Sequence, residues 1–283
     1  MKYCVKIIEP LDFLHAQVFS EVFELIICGL KHLKYEVLSP ENYNLENVRY
    51  IILGANLLKF IPKEKRPIFR KDTIIINLER FGHQEIFDQD YLHILKSFEV
   101  WDFSSLNMLR INSQYNLNIK KFLPLGYVKQ LEKIKKKEDE REDIDVLFIG
   151  SLSDRRSRIL KEMSQLNINV KHLFGFYGYE RDKIILRSKL LLNMHYHDIG
   201  SLEHVRIFYY LINSKPVLSE KSDDEQENEI FKNAICLAEY KDLPWRALEL
   251  LNNNHDLKKY AEIGHEFIKE KKFIETLKRN LNT

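Results

Sequence analysis

Polar side chains gather at the ends of two apolar runs in residues 190–220, LLLNMHYHDIGSLEHVRIFYYLINSKPVLSE. The first run ends at Asn193, His195 and His197, the amphipathic segment after it begins near Glu203 and Arg206, and the second run ends at Glu220. Short apolar runs bounded by loops indicate buried strands, and the segment between them has helical spacing. Ligands of open parallel α/β sheets bind beyond the carboxyl ends of the strands. We therefore expect these six side chains to surround a ligand.

Glu203 and Arg206 are candidate catalytic residues. Their spacing of three places both on one face of a helix, near its N-terminus. There the Arg206 guanidinium can join free backbone amides in facing a ligand. The alternative is a surface ion pair between Glu203 and Arg206, which would contribute about 1 kcal/mol at most.

The loop FIGSLSDRR offers a further place for a phosphate. Gly150 and Ser151 end an apolar run, so a phosphate can approach the backbone closely, and Arg155 and Arg156 open the next helical segment. Two arginines at a helix N-terminus oppose the helix macrodipole, and a nearby anion would account for them. An ordinary glycine turn with surface arginines is the alternative.

The loop LFGFYGYERD and the carboxylate of Glu220 suit the rest of a nucleotide. Phe174 and Gly175 begin a run of aromatic residues interleaved with glycine. Such a run can form a stacking wall for a base, although it also occurs as simple loop packing. Glu220 follows a buried run, where a carboxylate can accept both hydroxyls of a ribose.

Composition describes an ordered globular chain and argues against several functions. The chain has 283 residues, 45% of them hydrophobic, and 44 basic against 42 acidic side chains. This balance gives no overall field of the kind that drives nonspecific binding to DNA or membranes. The three cysteines have neither the number nor the spacing of a disulfide framework or a zinc site. Because the sequence shows no signal peptide and no apolar run long enough to span a membrane, we expect a cytoplasmic protein.

Strand-like and helix-like segments alternate twice along the chain, which predicts an α/β protein of two Rossmann-like domains with a cleft between them. Residues 1–128 carry the first alternation, and residues 145–283, with a helical tail, carry the second. Residues 129–144 are densely charged and poor in core-forming side chains, which indicates a linker; a solvated helix at a domain edge is the alternative. Neither alternation has G-x-G-x-x-G after its first strand, which argues against an NAD-dependent oxidoreductase.

The second alternation resembles a domain of a known family. The segments DVLFIGSLSDRRSRIL, FGFYGYERDKII, LLLNMH and RIFYYLINSKPVLSE are similar to the C-terminal, nucleotide-sugar-binding domain of GT-B glycosyltransferases, especially the group-1-like domain of CgeB-type proteins. Over residues 1–128 the resemblance rests on fold pattern, helped by INLERF and VWDFSSLN. It implies a glycosyltransferase that needs no cofactor and moves a sugar from a nucleotide-sugar donor to a hydroxyl acceptor. The sequence leaves the acceptor open among surface glycans, proteins and modified nucleic acids, and it indicates no oligomeric state.

The resemblance also implies roles for individual residues. Gly150, Ser151 and Arg156 would face the donor diphosphate and Arg206 would neutralise it. The base would lie near Phe174 and Gly175, and the ribose near Glu220. With His195 at its strand end, the predicted donor-binding set is Gly150, Ser151, Arg156, Phe174, Gly175, His195, Arg206 and Glu220.

One position departs from the pattern of retaining enzymes with this fold. They carry a Glu-x7-Glu motif, and this chain has Tyr209 where their second glutamate is expected. Retention and inversion of stereochemistry therefore both stay open. A non-catalytic nucleotide-sugar sensor or interaction subunit is the alternative function.

A general base for the acceptor is expected in the acceptor-side domain, residues 1–128. His15 is the first candidate, Asp12 lies in the same segment after the first strand, and Glu79, His83 and Asp102 follow other predicted strands. The Asp-x-Asp sequences DQD and DID are not expected to bind a metal, because such matches are frequent in a chain with 42 acidic side chains and DID precedes its strand. We expect Arg206 and backbone amides to meet the diphosphate charge instead of Mg²⁺.

Overall fold

The computed structural model of the chain describes residues 1–39, 45–82, 85–135, 141–198 and 200–282. The chain divides into two compact units, Met1–Val128 with Lys271–Thr283, and Lys129–Glu270. Each unit is built on its own parallel sheet, which confirms the predicted α/β class with two Rossmann-like sheets.

The first unit contains six parallel strands in its described residues. They are β1 (Lys2–Ile7), β2 (Glu36–Leu38), β3 (Val48–Leu53), β4 (Ile74–Asn77), β5 (Glu99–Asp102) and β6 (Lys121–Phe122), in the order β2-β1-β3-β4-β5-β6. The connecting helices are α1 (Ser20–His32), α2 (Gln89–Ser97) and α3 (Ser105–Tyr115). All four residues of β4 are buried, as expected for a β-branched run in a sheet covered on both faces.

The second unit repeats this plan with five parallel strands in its described residues. They are β7 (Ile144–Ile149), β8 (Val170–Leu173), β9 (Ser188–Asn193), β10 (Val217–Glu220) and β11 (Cys236–Ala238), in the order β11-β10-β9-β7-β8. Its helices are α4 (Asp154–Gln165), α5 (Gly178–Leu186), α6 (His204–Ile212), α7 (Glu225–Phe231), α8 (Leu243–Asn252) and α9 (Asn254–Lys269). Apolar side chains of β7, β9, α4 and α8 share one core cluster. In the described part of the chain, no helix is long and apolar enough to cross a membrane.

The last helix, α10 (Phe273–Asn282), belongs to the first unit. The sequence assigns the helical tail to the second domain and predicts that it packs back toward the first. A Cβ on Gly29 of α1 would lie 2.6 Å from Leu277 Cδ2 and 2.8 Å from Phe273 Cε1. The Asn280 side chain donates to the Phe122 carbonyl at 3.0 Å.

The start of the predicted linker is bonded to the second unit. The backbone N–H groups of Lys133 and Ile134 both donate to Asn213 Oδ1, at 2.8 Å each. Asn213 is the residue that ends α6. Residues 136–140 of the predicted linker lie outside the described residues.

In both sheets, polar residues pair in register at the carboxyl ends of adjacent strands. Asn77 of β4 lies opposite Asp102 of β5 in the first unit. In the second unit, Ser219 of β10 lies opposite Asn193 of β9. Parallel strands end at a common edge, so each unit has one edge where its polar strand ends come together.

Candidate functional site

Gly150 and Arg206 meet at the carboxyl end of β7. Gly150 has a φ of +154°, and a Cβ on it would lie 3.2 Å from Arg206 Nη2 and 3.3 Å from Phe148 Cζ. Arg206, from the first turn of α6, donates to Asn193 Oδ1 at 2.9 Å. Within the described ranges of the chain, Arg206 forms no ion pair. This edge of the second unit therefore holds a cation whose charge an anion can meet.

Arg156 is buried behind this position, with 2% of its surface exposed. Its guanidinium donates to the carbonyls of His195 at 3.0 Å, Ser151 at 2.9 Å and Met194. Its Nη2 lies 3.9 Å from the carboxylate of Glu203. We expected Arg156 to face a diphosphate directly, but its donors are directed into the protein. It ties the loop after β7 to the loop after β9.

Glu220 and Arg155 form a bidentate ion pair that the sequence did not reveal. Arg155 Nη1 donates to Glu220 Oε2 at 2.9 Å and Nη2 donates to Oε1 at 2.6 Å. Oε2 also accepts the backbone N–H of His195 at 2.9 Å. A carboxylate has about four acceptor positions, and these bonds occupy all but about one. The two ribose hydroxyls expected on Glu220 would need Arg155 to move.

His195 is also an internal support. Its Nε2 lies 2.7 Å from the Lys221 carbonyl, and because a carbonyl only accepts, Nε2 carries the proton. Nδ1 is buried and has no hydrogen-bond partner among the residues that the structure describes. A Cβ on Gly200 would lie 2.7 Å from the ring, so the loop after β9 rests directly on this imidazole.

Tyr209, at the place of the expected second glutamate, is buried on α6. Its hydroxyl donates to Asp182 Oδ2 at 2.8 Å. The guanidinium of Arg181 lies 4.4 Å from the centre of the Tyr209 ring and bonds to Asp182 at 2.8 Å. This position therefore belongs to a buried network of the protein's own side chains.

The loop after β8 presents aromatic side chains to solvent. Phe174 is 50% exposed and Phe176 is exposed as well, and Tyr179 in the first turn of α5 is 73% exposed. Gly175 has a φ of +75°, and a Cβ on it would have no atom within 4 Å. Exposed aromatic faces beside an open glycine leave room for a stacked base.

At the carboxyl edge of the first unit, Asp102 is fully buried. Its Oδ2 accepts from Asn77 Nδ2 at 2.6 Å and from Asn107 Nδ2 at 2.9 Å, and its Oδ1 accepts the Ser104 N–H at 2.9 Å. Burial raises the pKa of Asp102 to about 7, although these hydrogen bonds act to lower it. Sequence reasoning named Asp102 but missed both asparagines, which lie in the quoted segments INLERF and VWDFSSLN.

The same asparagines hold the segment that carries Glu79. Asn107 donates to the Glu79 carbonyl at 3.0 Å and accepts the Phe81 N–H at 2.7 Å. Asn56 donates to Glu79 Oε1 at 2.7 Å. The structure thus brings Glu79 and Asp102 into one network.

His15 lies in the 3-10 helix Leu14–Phe19, which follows β1. Its ring meets Phe13 edge-on, with 5.7 Å between ring centres. The remaining sequence candidate, His83, lies outside the described residues.

The Asp-x-Asp sequences are occupied by contacts within the protein. Asp143 pairs with Arg187 directly before β7, and Asp145, the second residue of β7, lies 2.7 Å from Lys189 Nζ. In DQD, Asp88 accepts the Tyr91 N–H at 2.8 Å and Asp90 pairs with Arg66 at 2.7 Å. Over the described ranges, no three His, Cys, Asp or Glu side chains are grouped to hold a metal ion.

Solved structures similar to this chain are GT-B glycosyltransferases. WaaG, a glycosyltransferase involved in lipopolysaccharide biosynthesis, matches with a TM-score of 0.57 and 10% identity, over 99% of this chain and 98% of WaaG. HepE of Anabaena in complex with UDP-glucose matches with a TM-score of 0.57 and 12% identity, over 100% of this chain and 98% of HepE. AviGT4, a glycosyltransferase involved in avilamycin A biosynthesis, matches with a TM-score of 0.56 and 11% identity, over 100% of this chain and 98% of AviGT4. These likenesses show that the chain has the GT-B fold.

The proteins with similar sequences do not indicate an activity. No family model matches the chain. Two uncharacterized proteins of Acanthamoeba polyphaga mimivirus are similar to it. L137 is 27% identical over 217 residues, which is 74% of this chain and 29% of L137. L140 is 26% identical over 202 residues, which is 69% of this chain and 64% of L140, so the chain spans less than two thirds of either relative.

Proposed function

We propose that the protein is a glycosyltransferase that moves a sugar from a nucleotide-sugar donor to a hydroxyl acceptor. The observation that carries the proposal is the guanidinium of Arg206, which forms no ion pair with the described residues and lies beside Gly150 at the end of β7. A nucleoside diphosphate supplies the matching anion. The GT-B fold supports this class of reaction, and HepE, which shares the fold, is described in complex with UDP-glucose.

In this proposal the donor lies along the carboxyl edge of the second unit. Arg206 pairs with the diphosphate, which Gly150 and Ser151 border, and the base stacks near Phe174 and Gly175. The charge of Arg206 counts most as the sugar bond breaks, because the leaving diphosphate then gains negative charge. No metal ion is required for this step.

Four further residues of the predicted site support the residues that contact the donor. Arg156, His195 and Glu220 hold the loops after β7 and β9 in place through the bonds given above. The carbonyl of Glu203 accepts the Arg206 N–H at 3.0 Å and so begins the first turn of α6. Glu203 thereby orients Arg206 through the backbone.

The acceptor side is assigned to the first unit, with His15 as the general base that takes the hydroxyl proton. Glu79 and Asp102 are the alternative carboxylates at the same edge. We also assign the protein to a reducing cytoplasm, because its three cysteines have neither the number nor the spacing of a disulfide framework.

A sensor that binds a nucleotide-sugar without transferring it is the second candidate. The observation in its favour is Tyr209, which is engaged with Asp182 at the place where retaining enzymes carry a glutamate. A sensor would keep the donor site of the second unit and lack turnover.

A panel of UDP-, GDP- and ADP-sugars tests the proposal by thermal shift. A donor at about a hundred times its Kd stabilises the fold by about 2.7 kcal/mol, so one nucleotide class should raise the melting temperature above the others. Release of the free nucleoside diphosphate from that donor then separates a transferase from a sensor. A panel in which every melting temperature stays at that of the free protein would contradict both.

A further inference from the structure

Two stretches of the second unit are tied together beside the start of α6. The Asp223 N–H donates to the Gly200 carbonyl at 3.0 Å, and the Gly200 N–H donates to the Asp223 carboxylate at 2.5 Å. Glu227 of α7 accepts the backbone N–H of Leu202 at 2.8 Å, and its other oxygen lies 2.6 Å from His204 Nε2. The segment that leads into α6 is therefore anchored by residues 223–227.

Glu227 has the properties of a fixed, ionised anchor. Its side chain is only 7% exposed. Burial acts to raise the pKa of Glu227, but the hydrogen bond and electrostatic attraction of His204, with hydrogen bonds from Ser222 and the Leu202 backbone, outweigh burial and hold this pKa below its ordinary value. Hydrogen bonds to an ionised acceptor are stronger than those to a neutral one. The carboxylate thus holds both donors firmly.

These two donors flank the residue that begins α6. Leu202 and His204 lie on either side of Glu203, whose carbonyl accepts the N–H groups of Arg206 and Ile207 at 3.0 and 2.9 Å. Arg206 is therefore one backbone hydrogen bond away from the anchored segment. At its other end, its Nη2 lies 3.2 Å from the place where a Cβ on Gly150 would be. A small shift of the helix start would move this guanidinium away from the end of β7.

We propose that Glu227 is a positioning residue for the donor diphosphate, because it fixes the first turn of α6 and through it the guanidinium of Arg206. The inference rests on the proposed function, since it requires a diphosphate beside Arg206. It concerns the diphosphate alone. The base is assigned to the loop after β8, which Glu227 does not hold through any of these bonds.

The test compares the affinities of a nucleoside diphosphate and its nucleoside. UDP with uridine, GDP with guanosine and ADP with adenosine are titrated into the parent protein, and the pair that binds is carried forward. Glu227→Gln keeps the size of the side chain but replaces one acceptor oxygen with a donor amide. We expect the diphosphate affinity to fall about tenfold and the nucleoside affinity to stay unchanged, because one charge-assisted contact is displaced.

Matched variants separate this role from general effects. Glu229→Gln changes another carboxylate of α7, one that pairs with Lys232 at the surface, and should leave both affinities unchanged. His204→Gln leaves the bond between Glu227 and Leu202 in place and should give a smaller loss in the same direction. It also keeps the test available if Glu227→Gln does not fold. In an Arg206→Ala background, Glu227→Gln should cause no further loss, because its effect passes through Arg206.

Each outcome decides a different point. If no nucleoside diphosphate binds the parent protein, the proposed function fails and this inference fails with it. If one binds the parent, Glu227→Gln and His204→Gln equally well, the inference is wrong and the proposed function stands. Equal loss of diphosphate and nucleoside affinity would show that Glu227 supports the fold of the whole site, which also contradicts a specific role toward the diphosphate.

Discussion

At the scale of single residues, three arginines near the end of β7 differ in what their guanidinium groups contact. Arg155 pairs with the carboxylate of Glu220, and Arg156 donates to three backbone carbonyls. Arg206 instead donates to the neutral amide oxygen of Asn193. Because the charge of Arg155 is offset and the donors of Arg156 are used internally, Arg206 is the cation placed to meet an added anion.

Arg206→Ala tests this assignment through the rate of transfer. Transfer should fall on the order of a hundredfold, as for the loss of one charge-stabilising donor. The free energy of unfolding should fall by only about 1 kcal/mol, because Asn193 loses one hydrogen bond. Donor kcat/KM and urea unfolding measure the two effects. Arg158→Ala, at an exposed arginine of α4, is the control and should change neither the rate nor the stability. An unchanged rate in Arg206→Ala would show that the diphosphate does not bind at α6.

Asp102 predicts a pH-dependent stability. Burial raises its pKa to about 7 in the folded chain, against about 3.9 in an unfolded chain. Between these values the folded chain holds a proton that the unfolded chain has lost. The contribution of Asp102 is therefore complete below about pH 4 and is lost as the pH rises to about 7, at about 1.4 kcal/mol per pH unit for one proton.

Asp102→Asn removes this titration. The unfolding free energy of the parent minus that of the variant should therefore decrease steadily from pH 4 to pH 7, as measured by urea unfolding at each pH. A difference that stays constant over this range would show that Asp102 keeps an ordinary carboxyl pKa in the folded chain.

At the scale of elements, glycines set how closely α6 can approach its neighbours. On one side Gly150 leaves space for the guanidinium of Arg206. On the other side α9 packs against α6, and a Cβ on Gly264 would lie 2.6 Å from Leu211 Cδ2 and 2.8 Å from the Ala234 carbonyl oxygen. The position of α6, and with it the proposed diphosphate site, depends on both contacts.

Gly264→Ala should destabilise the second unit by about 1–3 kcal/mol, because a backbone carbonyl blocks the added methyl group and α9 must move away. Urea unfolding gives the change in free energy. Glu262→Ala, at an exposed position of the same helix, should stay within about 0.5 kcal/mol of the parent. Equal stability of Gly264→Ala and the parent would mean that α9 and α6 are not in close contact at Gly264.

The sequence predicts where polar strand ends lie better than it predicts what each side chain does there. The apolar runs that end at Asn193 and Glu220 are strands β9 and β10, because burial on both faces leaves a clear pattern. The pairing of Glu220 with Arg155 joins residues from different loops, and no local pattern reports such a contact. For the same reason the roles of Asn77 and Asn107 around Asp102 emerge only from the structure.

At the scale of the whole molecule, the chain leaves the first unit at Val128 and returns to it at Lys271. Each unit holds one of the two tryptophans: Trp101 is fully buried in β5, and Trp245 is 64% exposed on α8. A Trp245→Phe variant would therefore report unfolding of the first unit through Trp101 fluorescence.

Phe273→Ala, made in the Trp245→Phe background, tests whether α10 stabilises the first unit. Phe273 is 1% exposed and lies against Gly29 of α1, so its truncation should cost about 3–5 kcal/mol. The Trp101 transition should move to a lower urea concentration. Lys278→Ala, at an exposed position of α10, should leave the transition in place. If Phe273→Ala also leaves it in place, α10 does not belong to the folded first unit.

The central claim is that a nucleoside diphosphate binds at the end of β7 through Arg206, and titration calorimetry tests it most directly. The parent protein, Arg206→Ala and Arg158→Ala are each titrated with UDP, GDP and ADP. We expect at least one nucleotide to bind the parent and Arg158→Ala alike, and to bind Arg206→Ala at least about tenfold more weakly, because one charge-assisted contact to the diphosphate is lost. Absence of binding by all three nucleotides, or equal affinity of the three proteins for the one that binds, would contradict the claim.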